Sequence, residues 1–213
     1  MSASPRTITF FFGLGSRYSY LAATQIAALE KDRACRVTWR PLLSTVLMQR
    51  RAQNPFATLD AAGNWSGAAV SATYTEKYRQ ADLARWAAYY GITYHEPPAP
   101  AIDAGRRTLF CVAAAELGAA AEYARGMFDL IYVQARKVTE DDCRDLGRRC
   151  GLNPDTLTLI VDDGRATRRH EDYLSQAIAA GVFGVPTFLW DKELYFGNDR
   201  IVLLRHALTA NGR

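Results

Sequence analysis

The pattern of hydrophobic and polar positions first indicates a strand, a helix and a second strand. Residues 7–12 (TITFFF) are continuously apolar or β-branched, which is typical of a strand buried on both faces. Two glycines interrupt this run, and apolar residues then recur at helical spacing from Tyr18 to Leu29. A second short strand over residues 37–40 ends at Pro41. The beginning of the chain therefore predicts a βαβ unit with a right-handed crossover.

The middle of the chain has a different pattern. Residues 44–65 look irregular. Segments with helical spacing of apolar residues follow at 75–90, 106–117, 122–136 and 139–150. Thr139 precedes three acidic residues, a combination typical of a helix N-terminus, and Gly151 with Pro154 ends that helix. The sequence therefore predicts a helical middle between two parts that contain strands.

The last part of the chain returns to a mixed pattern. A helix over residues 164–180 precedes two short strands, 187–190 and 193–196. Asp191-Lys192 lies between these strands and signals a hairpin. The final helix is amphipathic and begins after Asn198-Asp199.

This order of elements matches an α/β fold with a thioredoxin-like core interrupted by an all-helical insertion domain. We expect residues 1–43 and 165–213 to form the core. Residues 44–164 are then the helical insertion domain.

Composition and charge narrow the class of protein. A chain with 49% hydrophobic and 23% charged residues is ordinary for a globular protein. Because no segment approaches the ~20 apolar residues of a membrane span, and the N-terminus lacks a signal peptide's apolar stretch, we expect a cytoplasmic protein without a membrane partner. The net charge of +4 is mild and the arginine pairs are scattered, so no nucleic-acid partner is expected.

The four cysteines are expected to be free thiols rather than metal ligands or a redox pair. Cys35, Cys111, Cys143 and Cys150 form no Cys-x-x-Cys and no metal-ligand spacing. If Cys143 and Cys150 share a helix, their Cα atoms lie roughly 10 Å apart, beyond the ~7 Å limit of a disulfide. Structural thiols in a reducing compartment fit this pattern, and no metal is expected.

The histidines and tryptophans receive no chemical role. His170 stands beside two acidic residues on a helix face that we predict to be solvated. Trp65, Trp86 and Trp190 fit the core or the wall of a pocket better than catalysis.

Two segments combine into a candidate site. Residues 15–22 (GSRYSYLA) lie at the junction of the first strand and first helix, where thioredoxin-like oxidoreductases carry Cys-x-x-Cys. Ser16 and Ser19 stand at that spacing here. Residues 181–188 (GVFGVPTF) precede the hairpin, and in thioredoxin-like folds a Val-Pro at this place has a cis peptide bond facing the redox site. We therefore predict a cis bond between Val185 and Pro186 that faces Ser16.

Together with residues 82–87, 90–92 and 197–200 (GNDR), these segments make the chain resemble a known family. It is similar over nearly its whole length to the 2-hydroxychromene-2-carboxylate isomerases and kappa-class glutathione transferases of the DsbA-like group. The resemblance implies that glutathione is the cofactor and that the protein is a homodimer.

The resemblance also implies a role for each site residue. Ser16 would donate a hydrogen bond to the glutathione sulfur, at a helix N-terminus that favours an anion. Val185 and Pro186 would present a backbone edge to the cysteinyl part. Asn198 and Asp199 would hold the γ-glutamyl end. The alternatives are that Ser16 only caps its helix and that Asp199 only caps the last one.

The substrate side departs from the family. Arg17 stands where these enzymes usually have proline, and residues 98–103 replace a segment that is usually rich in asparagine. Because a guanidinium suits two-pronged recognition of a carboxylate, Arg17, Arg106 and Arg107 are candidates for binding the substrate's carboxylate.

The function implied is glutathione-dependent isomerisation of a 2-hydroxychromene-2-carboxylate-like aromatic 2-oxo acid, by reversible addition and elimination of the thiolate. A small aromatic carboxylate is the expected partner. A kappa-like transferase that consumes glutathione on an electrophile is the alternative enzyme. A thioredoxin-like binding module without activity is the alternative from another class.

Overall fold

The computed structural model describes residues 6–52 and 72–210. Its four-stranded sheet has the order β2-β1-β3-β4, with β1 (Arg6–Phe12), β2 (Cys35–Pro41), β3 (Thr187–Trp190) and β4 (Glu193–Phe196). The helices are α1 (Arg17–Thr24), α2 (Ile26–Arg33), α3 (Ser44–Ala52), α4 (Ala72–Tyr90), α5 (Ala104–Glu116), α6 (Ala120–Phe128), α7 (Glu140–Arg149), α8 (Pro154–Asp162), α9 (Arg165–Ala179) and α10 (Ile201–Ala210). A π-helical turn, Asp129–Val133, follows α6, and a 3-10 turn, Asn198–Arg200, precedes α10. The α/β class and the predicted strands at both ends of the chain are confirmed.

Strand β1 lies in the middle of the sheet. It pairs in parallel with β2 and antiparallel with β3, so Phe10 stands opposite Trp39 on one side and Phe188 on the other. The Phe10 ring meets Trp39 edge-on at 5.1 Å and stacks on Phe188 at 4.7 Å between centroids. Buried aromatic contacts of this kind contribute beyond the area they remove from water. The apolar run in β1 therefore joins the two ends of the chain into one core.

The helical middle follows the prediction in outline and departs from it in two places. Residues 44–52 form α3, so the irregular segment predicted for 44–65 is wrong there, while residues 53–65, with Trp65, lie outside the described residues. Pro154 begins α8 instead of only ending α7, because the first helical turn needs no N–H from it and Asn153 caps the helix. The predicted role of Thr139 is confirmed: it accepts from the Asp142 amide at 3.2 Å in a capping box.

Two further segments differ from the sequence pattern. The predicted helix from Tyr18 to Leu29 is two helices that meet at Gln25, where the Thr24 hydroxyl bonds back to the Leu21 carbonyl. The predicted helix over 122–136 changes to the π-helical turn after Phe128. That turn shifts the phase of the helix and brings the Tyr132 hydroxyl 3.0 Å from the carbonyl of Leu14.

The cysteines agree with the sequence interpretation. All four cysteines are free thiols, and burial raises the pKa of Cys111 and of Cys143. Within residues 6–52 and 72–210, no helix has the combination of length and apolarity that crossing a bilayer requires. The exact division into a core of 1–43 and 165–213 and an insertion of 44–164 stays a prediction.

His170 does not lie on a solvated face, and that interpretation is wrong. It is buried on α9, and its Nε2 atom accepts a hydrogen bond of 3.1 Å from the backbone amide of Leu43, just before α3. Burial lowers the pKa of His170, since the charged imidazolium is the form that loses water. The neutral ring therefore anchors the start of α3.

This geometry predicts a loss of stability in mild acid. The folded-state pKa of His170 is below its unfolded value of about 6.5, so the unfolded chain binds more protons and stability falls as the pH decreases below about 6.5. Denaturant titrations of the wild type and His170→Gln at pH 7.5 and 5.5 measure this. The variant should lose less stability than the wild type over that interval, and His206→Gln, at an exposed position on α10, serves as the control. Equal losses in the wild type and His170→Gln would contradict this account.

Candidate functional site

The candidate site begins where β1 passes into α1. Ser16 is the N-cap of α1, and its side-chain oxygen accepts from the backbone amide of Ser19 at 3.2 Å. The Ser19 hydroxyl is buried and accepts from the Gly13 amide at 3.2 Å. These bonds hold the turn from 13 to 19 with the N-terminus of α1 beside the Ser16 hydroxyl.

The Val185–Pro186 peptide bond lies against this turn and is cis, which confirms the prediction. The Ser16 hydroxyl donates to the Val185 carbonyl over 3.4 Å. That distance is long for an O–H···O bond, so the hydroxyl proton is only weakly held. A Cβ atom at Gly13 would come within 3.2 Å of the Val185 side chain, and glycine permits this close approach.

Ser16 therefore combines two roles that were alternatives in the sequence. It caps α1 through its oxygen lone pair, and it points its proton toward Val185. Because the cap uses the acceptor and a ligand would use the donor, capping does not prevent a hydrogen bond to a bound group.

Arg17 makes an ion pair beside the site. Its Nε atom donates to Glu96 at 2.8 Å, and a second guanidinium nitrogen donates to the same carboxylate. The Tyr94 hydroxyl also donates to Glu96. The hydrogen bond from Arg17 holds the pKa of Glu96 below its usual range, so this carboxylate is an anion that neutralises Arg17.

The other two candidate arginines lie in different surroundings. Arg106 is paired with Glu140 at 2.6 Å and with Asp162 at 2.9 Å, which ties α5 to α7 and α8. Arg107 is buried, and this burial lowers its pKa. The structure thus gives different surroundings to three arginines that were equivalent candidates in the sequence analysis.

Three tyrosines form a stacked group next to the turn from 13 to 19. Tyr20 stacks on Tyr132 at 5.1 Å between ring centroids, and Tyr94 lies 6.1 Å from Tyr132. Burial raises the pKa of each, so all are neutral phenols near pH 7. Sequence reasoning missed Tyr94, Glu96 and Tyr132 as site residues, because no local motif connects them with Ser16.

Asn198 and Asp199 lie at the beginning of the last helical segment. Asn198 is buried, and its carbonyl accepts from the Tyr90 hydroxyl at 3.3 Å. Asp199 pairs with its neighbour Arg200, and the cap of this segment is Gly197, without a side-chain bond. The proposed capping role of Asp199 is therefore not seen.

An open groove of about 870 Å³ runs past these two residues. Its walls are helical and carry Gln25, Asp82, Arg85, Trp86, Tyr89, Tyr90, Asn198, Asp199, Ile201, Val202 and Arg205. Trp86 is thus a pocket wall, as expected, and Trp190 is partly buried against the core. Ser16 and Val185 are not part of this wall, so the groove does not contain the turn from 13 to 19.

Comparison with known proteins places this geometry among relatives. The family model of the DSBA-like thioredoxin domain matches residues 7–209. A 2-hydroxychromene-2-carboxylate isomerase from Sphingobium xenophagum is 27% identical, covering 95% of this chain and 98% of its own. A protein of the same name from Pseudomonas putida is 26% identical, over 94% and 93% of the two chains.

Solved structures show the same fold. A 2-hydroxychromene-2-carboxylate isomerase has a TM-score of 0.78 at 23% identity, covering 97% of this chain and 96% of the other. The cytosolic disulfide reductase DsbM from Pseudomonas aeruginosa, solved with GSH, has a TM-score of 0.62 at 16% identity, over 95% and 99%.

The cap geometry predicts how substitutions at Ser16 affect stability. Ser16→Ala removes the acceptor for the Ser19 amide and should lower the free energy of unfolding by about 1 kcal/mol. Ser16→Gly should cost only a few tenths of a kcal/mol, since glycine lets water reach the amide. Denaturant titration measures both, and Asn153→Ala and Asn153→Gly at the cap of α8 are the matched pair. Equal stability of Ser16→Ala and the wild type would mean that the cap contributes nothing.

Proposed function

The chain belongs to the DSBA-like thioredoxin domain family, and we propose that it is a glutathione-dependent isomerase of 2-hydroxychromene-2-carboxylate-like aromatic 2-oxo acids. Relatives with that name span nearly the whole chain. The observation that carries the proposal is the Ser16 hydroxyl, which lies at the N-terminus of α1 and faces the carbonyl of the cis Val185–Pro186 pair. Serine cannot form the mixed disulfide that a cysteine there would form, so a bound thiol stays free to react.

The residues around Ser16 fit a bound tripeptide thiol. Among the described residues, the Val185 carbonyl accepts only the long bond from Ser16, so it is open to a peptide N–H. The Pro186 carbonyl already accepts from Gly197 at 2.9 Å. Asn198 and Asp199 face the groove and suit the γ-glutamyl end of glutathione. The Asp199 carboxylate can pair with the ammonium group of that end. We assign Ser16, Val185, Pro186, Asn198 and Asp199 to the glutathione site on this basis.

When bound, glutathione would supply a thiolate for reversible addition to a conjugated carbon of the substrate. That addition turns a double bond of the substrate into a single bond, which can rotate before the thiolate is eliminated. Ser16 stabilises the negative sulfur with its hydroxyl proton, and the helix N-terminus adds a partial positive charge. Tyr94, which is half-buried, offers a flat apolar face to an aromatic ring near the same turn. For the substrate's carboxylate the candidates remain Arg17, Arg106 and Arg107.

The setting of the enzyme is part of the proposal. Four free thiols support a reducing, cytoplasmic location. The homodimer is supported by apolar side chains exposed on α4 and α10, among them Tyr89, Val202 and Leu203. We also propose the division into a core of residues 1–43 and 165–213 and a helical insertion domain of 44–164.

The Ser16 hydroxyl should matter for turnover more than for folding. Ser16→Gly keeps most of the helix cap but has no hydroxyl, so it should lower the isomerisation rate about 10- to 150-fold. Steady-state rates with 2-hydroxychromene-2-carboxylate and glutathione measure this, and Ser175→Gly at an exposed position of α9 controls for the substitution itself. Ser16→Cys should be trapped by oxidised glutathione as a mixed disulfide, visible by mass spectrometry. Normal turnover in Ser16→Gly would reject the assignment.

Calorimetric titration with glutathione and product analysis test the function as a whole. We expect saturable binding of glutathione by the wild type and an isomerised product with the glutathione concentration unchanged. A stable glutathione conjugate instead would indicate the kappa-like transferase. Absence of glutathione binding and of activity on electrophiles would indicate a binding module without catalysis.

A further inference from the structure

Arg107 is a buried cation without an acidic partner. The residue is only 6% exposed, and its enclosed Nε atom has no hydrogen-bond partner among the described residues. Among the residues that the structure describes, no carboxylate forms an ion pair with it, and the nearby Asp103 uses its carboxylate to cap α5. Burying a charge without a counter-charge is costly, so such a residue calls for an explanation.

The other arginines with an enclosed, unpartnered Nε atom make contacts through the rest of the guanidinium group. Arg40 lies 4.6 Å above the centroid of the Tyr173 ring and donates to its hydroxyl at 3.4 Å. Arg33 donates to the Asp32 carbonyl at 3.3 Å. Among the described residues, no aromatic ring stacks on the Arg107 guanidinium and no carbonyl accepts a hydrogen bond from it.

Tyr132 connects Arg107 with the candidate site. Its hydroxyl donates to the carbonyl of Leu14 at 3.0 Å, in the turn that leads to Ser16. Burial raises the pKa of Tyr132, and the positive charges of Arg17 and Arg107 both oppose that rise. Both cations therefore lie near the same phenol, but Glu96 already neutralises Arg17.

We propose that Arg107 binds a carboxylate beside Tyr132, and that the carboxylate belongs to the aromatic substrate. The inference rests on the proposed function and selects one of its three candidate arginines. A guanidinium matches a carboxylate through two parallel hydrogen bonds, and a buried position makes them stronger than in water. The glycine end of glutathione carries the same group, so the experiment must distinguish the two sources.

Two unreactive probes that differ in charge test the site. The wild type should bind trans-cinnamate at least about tenfold more tightly than the neutral cinnamamide in calorimetric titrations. Arg107→Met should weaken cinnamate binding about 10- to 100-fold and leave cinnamamide binding unchanged. Arg144→Met removes an arginine that is paired with Asp155 at 2.6 Å on α8, and it should change neither affinity.

Melting temperatures separate this role from a structural one. Because Arg107→Met removes an unpaired buried charge, it should raise the melting temperature of the ligand-free protein and abolish the further rise caused by cinnamate. An arginine that holds the fold together would give a lower melting temperature instead. Arg107→Lys keeps the charge without the two-pronged geometry, and it should fall between wild type and methionine in cinnamate affinity.

Several outcomes would overturn the proposal. These are equal affinity of the wild type for cinnamate and cinnamamide, unchanged cinnamate affinity in Arg107→Met, or, if that variant does not fold, unchanged affinity in Arg107→Lys. A loss of glutathione affinity with intact cinnamate binding would assign Arg107 to the glycine end of glutathione and overturn the substrate assignment. Arg107-dependent cinnamate binding in a protein without isomerase activity would keep the carboxylate site and reject the proposed function.

Discussion

Pairing of β1 along both of its edges determines where the candidate site lies. On one edge β1 is parallel to β2, so the turn from 13 to 19 and Leu42 leave the sheet at the same end. On the other edge it is antiparallel to β3, and the cis Val185–Pro186 pair enters the sheet at that end. Ser16 and Val185 are 169 positions apart in sequence, yet they meet at 3.4 Å because a single buried strand fixes both neighbours.

The distribution of charge around the site follows from packing rather than from sequence. Arg17 and Arg106 each find carboxylates on other elements and become ion pairs that are partly exposed, the kind that adds little to stability. Arg107, the direct neighbour of Arg106, is buried on a different side of α5 and has no such compensation among the described residues. Adjacent residues of one type thus acquire different chemistry, since successive side chains on a helix point about 100° apart.

Features with a local cause could be predicted from the sequence. The apolar run of β1, the hairpin at Asp191-Lys192 and the cap at Thr139 each depend on neighbouring residues, and the Val-Pro element was identified by resemblance. Features with a distant cause could not: the Glu96 partner of Arg17, the burial of His170 against Leu43 and the approach of Tyr132 to Leu14 arise only from the packed helices. The helix at Pro154 was missed for a different reason, because proline ends one helix and begins another with equal ease.

The central place of β1 also constrains the order of events while the chain is being made. Its partner β3 begins at residue 187, so one edge of this central strand stays unpaired until most of the polypeptide has left the ribosome. Unpaired apolar edges of this kind attract other chains. β2 covers the opposite edge of β1 during that interval, so the time needed to translate the helical middle sets how long the other edge stays unpaired.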